Sequence, residues 1–414
     1  MYIETAIKTD PNNWEPYYYA SMTLCRKGDY LNALTFVDKS IELNPNNTKL
    51  LSNRATILGG LGKYYEAIDQ YREVLKINEN SANESFYLGT ALITIGEYEE
   101  GWKRCSMRFN IPKVQQFCQI LPKIDMWNGE PLEDKSILLF CEQGCGDMIH
   151  FVRYAKDFKK AGARVTILTP KPLSKLIRNC EGVDEVMVFD PTDPTFIDHN
   201  FDYTFSVWSS PLFFGVRKED KYIYVDKSPI KLKSKFVNVG ICWAGSELHE
   251  NDCVRSCRLK EFKALKGIPD VKFYSLQKPF ESNNLLKNAV KMSMTRKWRT
   301  EGYVDLMESC DDFNMEDYTS IIEDFNDTAE FISQLDLVIT VDTAVAHIAA
   351  ALGKPTWILL GFYPDYRWLT ARSDSVWYSS VKLFRQPTYT SLNWPAVFDN
   401  VRKELENFVL DFRK

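Results

Sequence analysis

The sequence predicts an α-solenoid followed by two doubly wound α/β domains facing one cleft, and three observations predict it. Gly28, Gly62 and Gly96 recur at an interval of 34 residues, each followed two positions later by Tyr30, Tyr64 or Tyr98. From Lys135 onward, short apolar runs alternate with amphipathic stretches, the rhythm of parallel strands wound with helices on both faces. The charged interval 217–235, which holds Pro229, divides that second part into two blocks.

The solenoid comes first. Ala33, Ala67 and Gly101 repeat at the same interval, and Asp10-Pro11-Asn12-Asn13, Asn44-Pro45-Asn46-Asn47 and Asn78-Glu79-Asn80-Ser81 mark the junctions. A helix–turn–helix period of this length, with small residues at fixed places, is the tetratricopeptide signature. The small residues let paired helices approach closely, and the polar turns end one unit and start the next. The opening residues read as the second helix of a repeat, so a half repeat and three full ones are expected over 1–110, the half repeat capping the array or marking a shortened front. Such an array is a docking surface for a partner or acceptor. Residues 111–134, with three prolines and an Asn-Gly turn, read as a linker.

The α/β part is expected to form one domain over 135–230 and a second over 231–390, followed by a C-terminal helix over 391–414. Strands are expected at 137–141, 164–169, 185–189, 203–207, 237–243, 272–276, 337–341 and 356–360. A helix over 148–160 places Ile149, Val152, Tyr154, Ala155 and Phe158 largely on one face. Two such domains would leave a cleft at the carboxyl ends of their strands.

Composition narrows the function. At 414 residues the chain holds several cores, and a net charge of −5 gives no footprint for nucleic acid. The ten cysteines form no CxxC pair, which points to reduced thiols, although Cys141/Cys145 and Cys253/Cys257 have CxxxC spacing that a soft metal can use. The first residues, Met-Tyr-Ile-Glu-Thr-Ala-Ile-Lys, lack the features of a secretory signal, and no apolar run approaches the ~20 residues of a membrane span. A cytoplasmic location is therefore expected.

Four constellations carry chemistry. Glu142-Gln143-Gly144-Cys145-Gly146-Asp147 lies between a strand and a helix, where two glycines permit a tight turn and close approach of a ligand. Asp147 there admits two readings, a general base towards a nucleophilic hydroxyl or a helix cap. Asp342-Thr343-Ala344-Val345-Ala346-His347 ends a strand and opens an alanine-rich helix, whose N–H groups suit a diphosphate. His347, one turn in, either touches the same ligand or is structural. Gln277-Lys278 closes a strand, and Lys278 is either a counter-charge for a leaving diphosphate or a solvated terminus. Trp243-Ala244-Gly245-Ser246, with His249, Asn251, Asp252 and Arg255 behind it, either lines a site or forms a surface loop. A fifth stretch, Asp324 to Glu330, reads as a helix cap, with Asp327 and, three residues on, Glu330 as a capping-box variant. No Asp-X-Asp triplet occurs, so no clustered carboxylates offer a divalent metal the grip that many nucleotide-sugar enzymes use.

The segment Glu142-Gln-Gly-Cys-Gly-Asp147-Met-Ile-His-Phe-Val-Arg-Tyr154 resembles the Glu-Gln-Gly-x-Gly-Asp stretch of tetratricopeptide-containing glycosyltransferases of the heptosyltransferase-like family 9 type. The similarity extends through Val239 to Gly245, Tyr274 to Lys278, Leu335 to His347 and Trp357 to Arg385, and it is distantly like O-GlcNAc transferases. The resemblance implies a GT-B fold of two Rossmann-like domains, with the nucleotide-sugar donor in the second and the acceptor towards the first. It implies that Asp147 is the catalytic base and that Lys278, Gln277, Asp342, Thr343, Ala344, His347, Trp243 and Gly245 serve the donor. Gln143, Gly144, Gly146, His249 and Arg255 fall to the acceptor side or its loops. The activity implied is transfer of a sugar from a nucleotide-diphospho-sugar to a hydroxyl of a protein or glycan, with no metal and no cofactor. The C-terminal helix is then expected to pack on the first Rossmann-like domain. Two departures stand out: cysteines 253 and 257 occupy the polar loop, and the histidine dyad region of O-GlcNAc transferases is not evident. The alternatives are a non-catalytic adaptor with a degenerate GT-B unit, and sugar-nucleotide epimerisation on the same scaffold.

Overall fold

The computed structural model describes residues 2–119, 121, 124–189, 200–226, 230, 232, 235–246, 249, 252–278, 313–388 and 394–413. The chain divides into two compact units: 1–123 with 211–216 and 362–372, and 124–210 with 217–361 and 373–414.

The first unit is the helical array. Its helices run Tyr2–Thr9, Trp14–Arg26, Tyr30–Leu43, Thr48–Gly60, Tyr64–Ile77, Ala82–Thr94 and Tyr98–Cys105. Gly28, Gly62 and Gly96 take φ values of 76°, 76° and 91°, the left-handed region that favours glycine, which is why that residue sets the period. The second asparagine of each Pro-Asn-Asn turn caps the next helix: Asn13 accepts from the Glu15 N–H at 3.0 Å and Asn47 from the Lys49 N–H at 3.1 Å. At the third junction the Ser81 hydroxyl instead bonds the Glu84 carboxylate. Ala67, Ile68, Tyr71, Leu88 and Leu92 form the apolar seam between the later repeats.

Helix Ala82–Thr94 packs on Tyr98–Cys105 with almost no gap. A Cβ on Gly89 would fall 2.6 Å from the Cys105 sulfur and 2.7 Å from the Gly101 carbonyl oxygen, and backbone cannot retreat as a side chain can. Gly89→Ala is therefore expected to destabilise the array by about 1–3 kcal/mol despite the better helix propensity of alanine. Urea denaturation checks this; a neutral or stabilising result would show that the two helices can move apart freely.

Two findings go beyond the repeat pattern. Residues 362–372 belong to the same unit, with the Tyr363 ring 6.0 Å from that of Tyr30 and the Tyr366 ring 6.0 Å from that of Trp102. The stretch read as a linker carries a helix, Pro112–Cys118, opened by proline at its first position.

The second unit holds two sheets. The first contains β1 (Ser136–Phe140), β2 (Arg164–Thr169), β3 (Glu185–Val188) and β4 (Tyr203–Ser206), all parallel, in the order β3-β2-β1-β4. The other contains β5 (Val237–Cys242), β6 (Val271–Ser275), β7 (Met315–Asp317), β8 (Leu337–Val341), β9 (Thr356–Leu360) and β10 (Val381–Arg385), also parallel, in the order β10-β9-β8-β5-β6-β7. Counted from β5 this is the 3-2-1-4-5-6 order of a dinucleotide-type doubly wound sheet. Both are the Rossmann-like sheets expected. The central strands β5, β8 and β9 are buried along their whole length, as the near-continuous apolar runs require of strands covered on both faces.

The C-terminal helix Trp394–Phe412 corrects one expectation. It packs on the second sheet's core, not on the first domain: Trp394, Val397, Phe398, Val401, Leu405 and Val409 join Val239, Phe262, Trp357 and Phe384 in one cluster. The Phe398 ring stands 4.8 Å from Phe262 and Phe408 stands 5.9 Å from Trp357. The apolar stripe at positions i, i+3, i+4 and i+7 has to be buried, each such side chain being worth about 1.5–3 kcal/mol, and the chain has just left edge strand β10. The nearest open apolar face takes it.

Candidate active site

The strand orders determine where a ligand can sit. In an open parallel sheet the crevice lies beyond the carboxyl ends of the strands where the order reverses. The reversals fall between β1 and β4 and between β5 and β8. The loops that follow β1, β5 and β8 carry most of the residues singled out from the sequence.

After β1 the chain turns at Gly144 and enters the helix Cys145–Phe151. The Asp147 carboxylate accepts the Gly144 N–H at 3.0 Å, so the helix-cap reading is realised. The carboxylate is half-buried, and accepting one N–H is compatible with base chemistry. Glu142, which the sequence reading left without a role, accepts from the Ser206 hydroxyl at 2.6 Å and ties the carboxyl ends of β1 and β4 together. Gln143 is exposed on the same loop.

After β8, Thr343 caps the helix Ala344–Ala351, its hydroxyl accepting from the Val345 N–H at 3.2 Å. The first-turn N–H groups of a helix have no carbonyl one turn back, and they carry the positive end of its dipole. Gly146 meets this helix start directly. A Cβ there would lie 3.2 Å from His347 Cδ2, 3.6 Å from Ala344 Cα and 3.7 Å from Ala344 N. The glycine in Gly-Cys-Gly-Asp is thus a place of close approach between the two sheets' leading helices, with Ala344 and His347 against it.

After β5, the Gln277 side-chain oxygen accepts from the N–H groups of Trp243 at 3.2 Å and Ala244 at 2.9 Å. The Cys242 thiol, pushed up to about 11 by burial and so protonated, donates to the same oxygen at 3.4 Å. Through that oxygen Gln277 shapes the loop after β5. Arg255 reaches across to the third loop: it donates to the Asp342 carbonyl at 3.1 Å and the Ser246 carbonyl at 3.3 Å, and pairs with Asp252 at 3.2 Å. A Cβ on Gly245 would overlap the Arg255 guanidinium, and the Gly245 N–H is held by Ser256 Oγ at 3.0 Å. Arg255 is a brace that registers the β5 and β8 loops on one another. His249 is exposed and helps turn the loop through its backbone, accepting the Asp252 N–H at 3.1 Å. Asn251 lies outside the described residues.

The Lys278 ammonium is engaged by backbone: it donates to the carbonyls of Ile322 at 2.5 Å and Glu323 at 3.1 Å, on the approach to the helix Phe325–Ile332. That helix opens with the cap read from the sequence, though one turn earlier: Asp324 accepts from Asn326 and Asp327, and Asp327 accepts from Asp324.

A buried polar cluster behind the crevice escaped sequence reasoning. His150 and Arg153, just beyond Asp147, are wholly buried, as are Tyr378, Trp377 and Tyr222 to within 1%. Tyr378 Oη lies 2.8 Å from His150 Nδ1 and 2.9 Å from His347 Nδ1, and the two imidazole rings are 5.1 Å apart. The Arg153 guanidinium stands over the Tyr378 ring at 4.2 Å and donates to the carbonyls of His150 at 2.7 Å and Trp377 at 2.5 Å. Among the described residues it has no carboxylate partner. Burial, and then the Arg153 charge, hold His347 down to about 3 and His150 well below the ordinary histidine range. Both rings are neutral at pH 7. The apolar periodicity of 148–160 conceals this cluster, because the helix breaks into Cys145–Phe151, a 3-10 turn Val152–Tyr154 and Ala155–Lys160, which turns Arg153 inward.

Comparison with known proteins agrees with these features. Residues 323–378, spanning β8, the helix at Ala344, β9 and Tyr378, match the family described as Glycosyltransferase family 9 (heptosyltransferase), and residues 48–81 match the Tetratricopeptide repeat. Protein FlbA of Caulobacter vibrioides is 22% identical over 354 residues, which are 78% of this chain and 55% of that protein. The chain thus spans about half the length of the curated relative it matches. Among solved structures, the glycosyl transferase family 9 protein of Veillonella parvula DSM 2008 aligns with a TM-score of 0.45 at 11% identity, over 68% of this chain and 99% of its own. The ADP-heptose LPS heptosyltransferase II of E. coli aligns with a TM-score of 0.42 at 12% identity, over 67% and 100%. The resemblance read from the sequence is borne out to this extent: residues 323–378 match family 9 and residues 48–81 the tetratricopeptide repeat, and a helical array precedes two parallel sheets.

Proposed function

We propose that the chain transfers a sugar from a nucleotide-diphospho-sugar to a hydroxyl of a protein or glycan, without a metal. The observation that carries this reading is the meeting of two loop–helix starts across Gly146. One brings a carboxylate, Asp147; the other brings the positive end of the helix Ala344–Ala351. A base and an anion-binding helix start on facing sides of one crevice are what displacement of a diphosphate requires. The acceptor oxygen attacks the anomeric carbon while the bond from that carbon to the diphosphate oxygen breaks. Asp147 takes the acceptor's proton, and the helix start meets the charge left on the nucleoside diphosphate. Arg255 and Gln277 hold the β5 and β8 loops in register for the donor. Lys278 has no step here; its ammonium braces the chain at Ile322 and Glu323.

The array is proposed to present the protein or glycan acceptor, or a partner that brings it, along the cleft lined by Tyr18, Lys49, Asn53, Glu84 and Tyr87. Among the described residues no helix is long and apolar enough to cross a membrane. The free thiols of Cys25, Cys105, Cys145, Cys180, Cys242 and Cys257 support a reducing compartment such as the cytoplasm as part of the proposal.

A thermal-shift panel of nucleoside diphosphates and nucleotide-sugars, with and without chelator, tests the reading. A ligand at a hundred times its dissociation constant adds about 2.7 kcal/mol to the folded state. A shift with one base that survives chelator is the expected result. A shift that chelator abolishes would remove metal independence, and none with any nucleotide would favour a non-catalytic adaptor.

A further inference from the structure

The groove of the helical array encloses about 290 Å³ between the leading helices of three successive repeats. That is close to the scale of a small-molecule pocket, about 300–1,000 Å³. Helix Thr48–Gly60 supplies two adjacent stripes at helical spacing, Thr48, Ser52 and Thr56 beside Lys49 and Asn53. Its neighbours supply Tyr18 on one side and Glu84 and Tyr87 on the other. Among the described residues no aliphatic side chain lines the groove.

Much of the hydrogen-bonding capacity of this lining is unspent within the protein. Ser52 is 8% exposed and Tyr18 6%, yet among the described residues neither hydroxyl has a hydrogen-bond partner. Neither hydroxyl is enclosed by protein, so each keeps its accessible surface where its residue lines the groove. Ser21 gives its one hydrogen to the Tyr18 carbonyl at 2.8 Å, so it accepts from Asn53 Nδ2 at 2.7 Å. That fixes the amide and leaves Asn53 Oδ1 an acceptor with no partner among the described residues. The Lys49 ammonium rests over the Tyr18 ring at 4.6 Å, and Glu84 accepts the Ser81 hydroxyl. Among the described residues Lys49 pairs with no carboxylate and Glu84 with no cation. The Tyr87 residue is 43% exposed.

We infer that this groove is a carbohydrate-binding site whose occupant is a neutral pyranose of the acceptor. This rests on the transferase reading above and narrows its acceptor to one that already carries sugar. A hydroxyl both donates and accepts, so neighbouring sugar hydroxyls can give hydrogens to Glu84 and Asn53 Oδ1 and lone pairs to Lys49. A phosphate or carboxylate bears only lone pairs, and Glu84 would repel it. A peptide held by buried apolar anchors needs pockets for them, and a lining of hydroxyls, amide and charges offers none. The Tyr87 ring suits the C–H face of a pyranose, because tyrosine is apolar on its faces and polar at its tip.

Saturation-transfer NMR on the full chain tests this, with the methyl glycosides of glucose, galactose, mannose and N-acetylglucosamine as probes. At least one is expected to bind, and saturating nucleoside diphosphate is expected to leave that binding unchanged. Ser52→Ala removes a hydroxyl that bonds nothing else in the described protein, so a folding defect is not expected. It should weaken the glycoside about fivefold, the worth of one hydrogen bond. Tyr87→Ala should weaken it to a similar degree by removing the ring. No glycoside bound, or a bound one indifferent to both substitutions, overturns the inference. A random-sequence peptide library that binds the wild type and is lost in Ser52→Ala, with no glycoside bound, would give the groove to peptide instead. Glycoside binding in a chain that takes no nucleotide would overturn the transferase reading and leave the sugar site standing.

Discussion

Asp147→Asn is expected to lower kcat by about 10²- to 10⁴-fold, the usual contribution of a positioned general base, while nucleoside diphosphate affinity stays at the wild-type value. Asparagine is the informative replacement because Asp147 holds two jobs in this structure. Its carboxylate accepts the Gly144 N–H at 3.0 Å, which closes the first turn of the helix Cys145–Phe151. An amide oxygen can keep that bond, so the turn and the approach of Gly146 to Ala344 survive. What the amide cannot do is take a proton from an incoming hydroxyl. Asp147→Ala removes both functions and adds a capping loss of about 1 kcal/mol, so its rate loss alone would not separate them. Single-turnover kinetics on the asparagine variant, with a folded-state check by circular dichroism, gives the answer. Wild-type turnover in Asp147→Asn would reduce this residue to a cap.

Mild acid is expected to destabilise the two-sheet unit well before most carboxylates protonate. His347 titrates near 6.5 in an unfolded chain and is held down to about 3 when folded, by burial first and by the Arg153 charge second; His150 is lowered for the same two reasons, with His347 adding to it. Between those limits the unfolded state binds more protons than the native state. Stability is therefore complete above about pH 6.5 and falls as pH falls towards the folded values. Once well below 6.5, each histidine costs about 1.4 kcal/mol per pH unit, so the pair costs about 2.7. Arg153 sharpens the effect, because a protonated imidazole would sit beside a buried cation that has only carbonyls, hydroxyls and ring faces around it. The carboxylates do not blur the window. Asp202, held down to about 2 by the Ser136 N–H and hydroxyl and by Lys135, loses its contribution only below about pH 4. Urea denaturation at pH 7.5, 6.0 and 5.0 reads the slope. His347→Asn is expected to remove about half of it. A slope of zero in wild type would mean that the two rings take protons without unfolding.

Much of the architecture was legible from residue pattern because it rests on local rules. A 34-residue glycine period demands left-handed turns at Gly28, Gly62 and Gly96, and the structure has them. Strands expected at 164–169, 337–341 and 356–360 are found at those bounds, and the others to within a residue, because a strand covered on both faces has to be apolar throughout. The two strands missed, β7 and β10, are sheet edges; β7 has three residues and β10 mixes Lys382 and Arg385 into its pattern. Candidate site residues were also legible where they sit on loop–helix starts, since Gly-x-Gly-Asp and Asp-Thr-Ala announce a backbone that must bend and a helix that must begin.

Pairing across long sequence separations was not legible. The sequence by itself determined the solenoid, the two wound sheets, and Asp147 and Thr343 at their helix starts, all consequences of spacing and dihedral preference. The tertiary structure alone decided that Gly146 abuts His347, that Gln277 and Arg255 bond the β5 and β8 loops, and that Lys278 rests on carbonyls. It also decided that His150 and Arg153 turn inward to meet Tyr378, more than 200 positions away. A polar group's role depends on which partners surround it once water is excluded, and the chain folding back on itself chooses those partners.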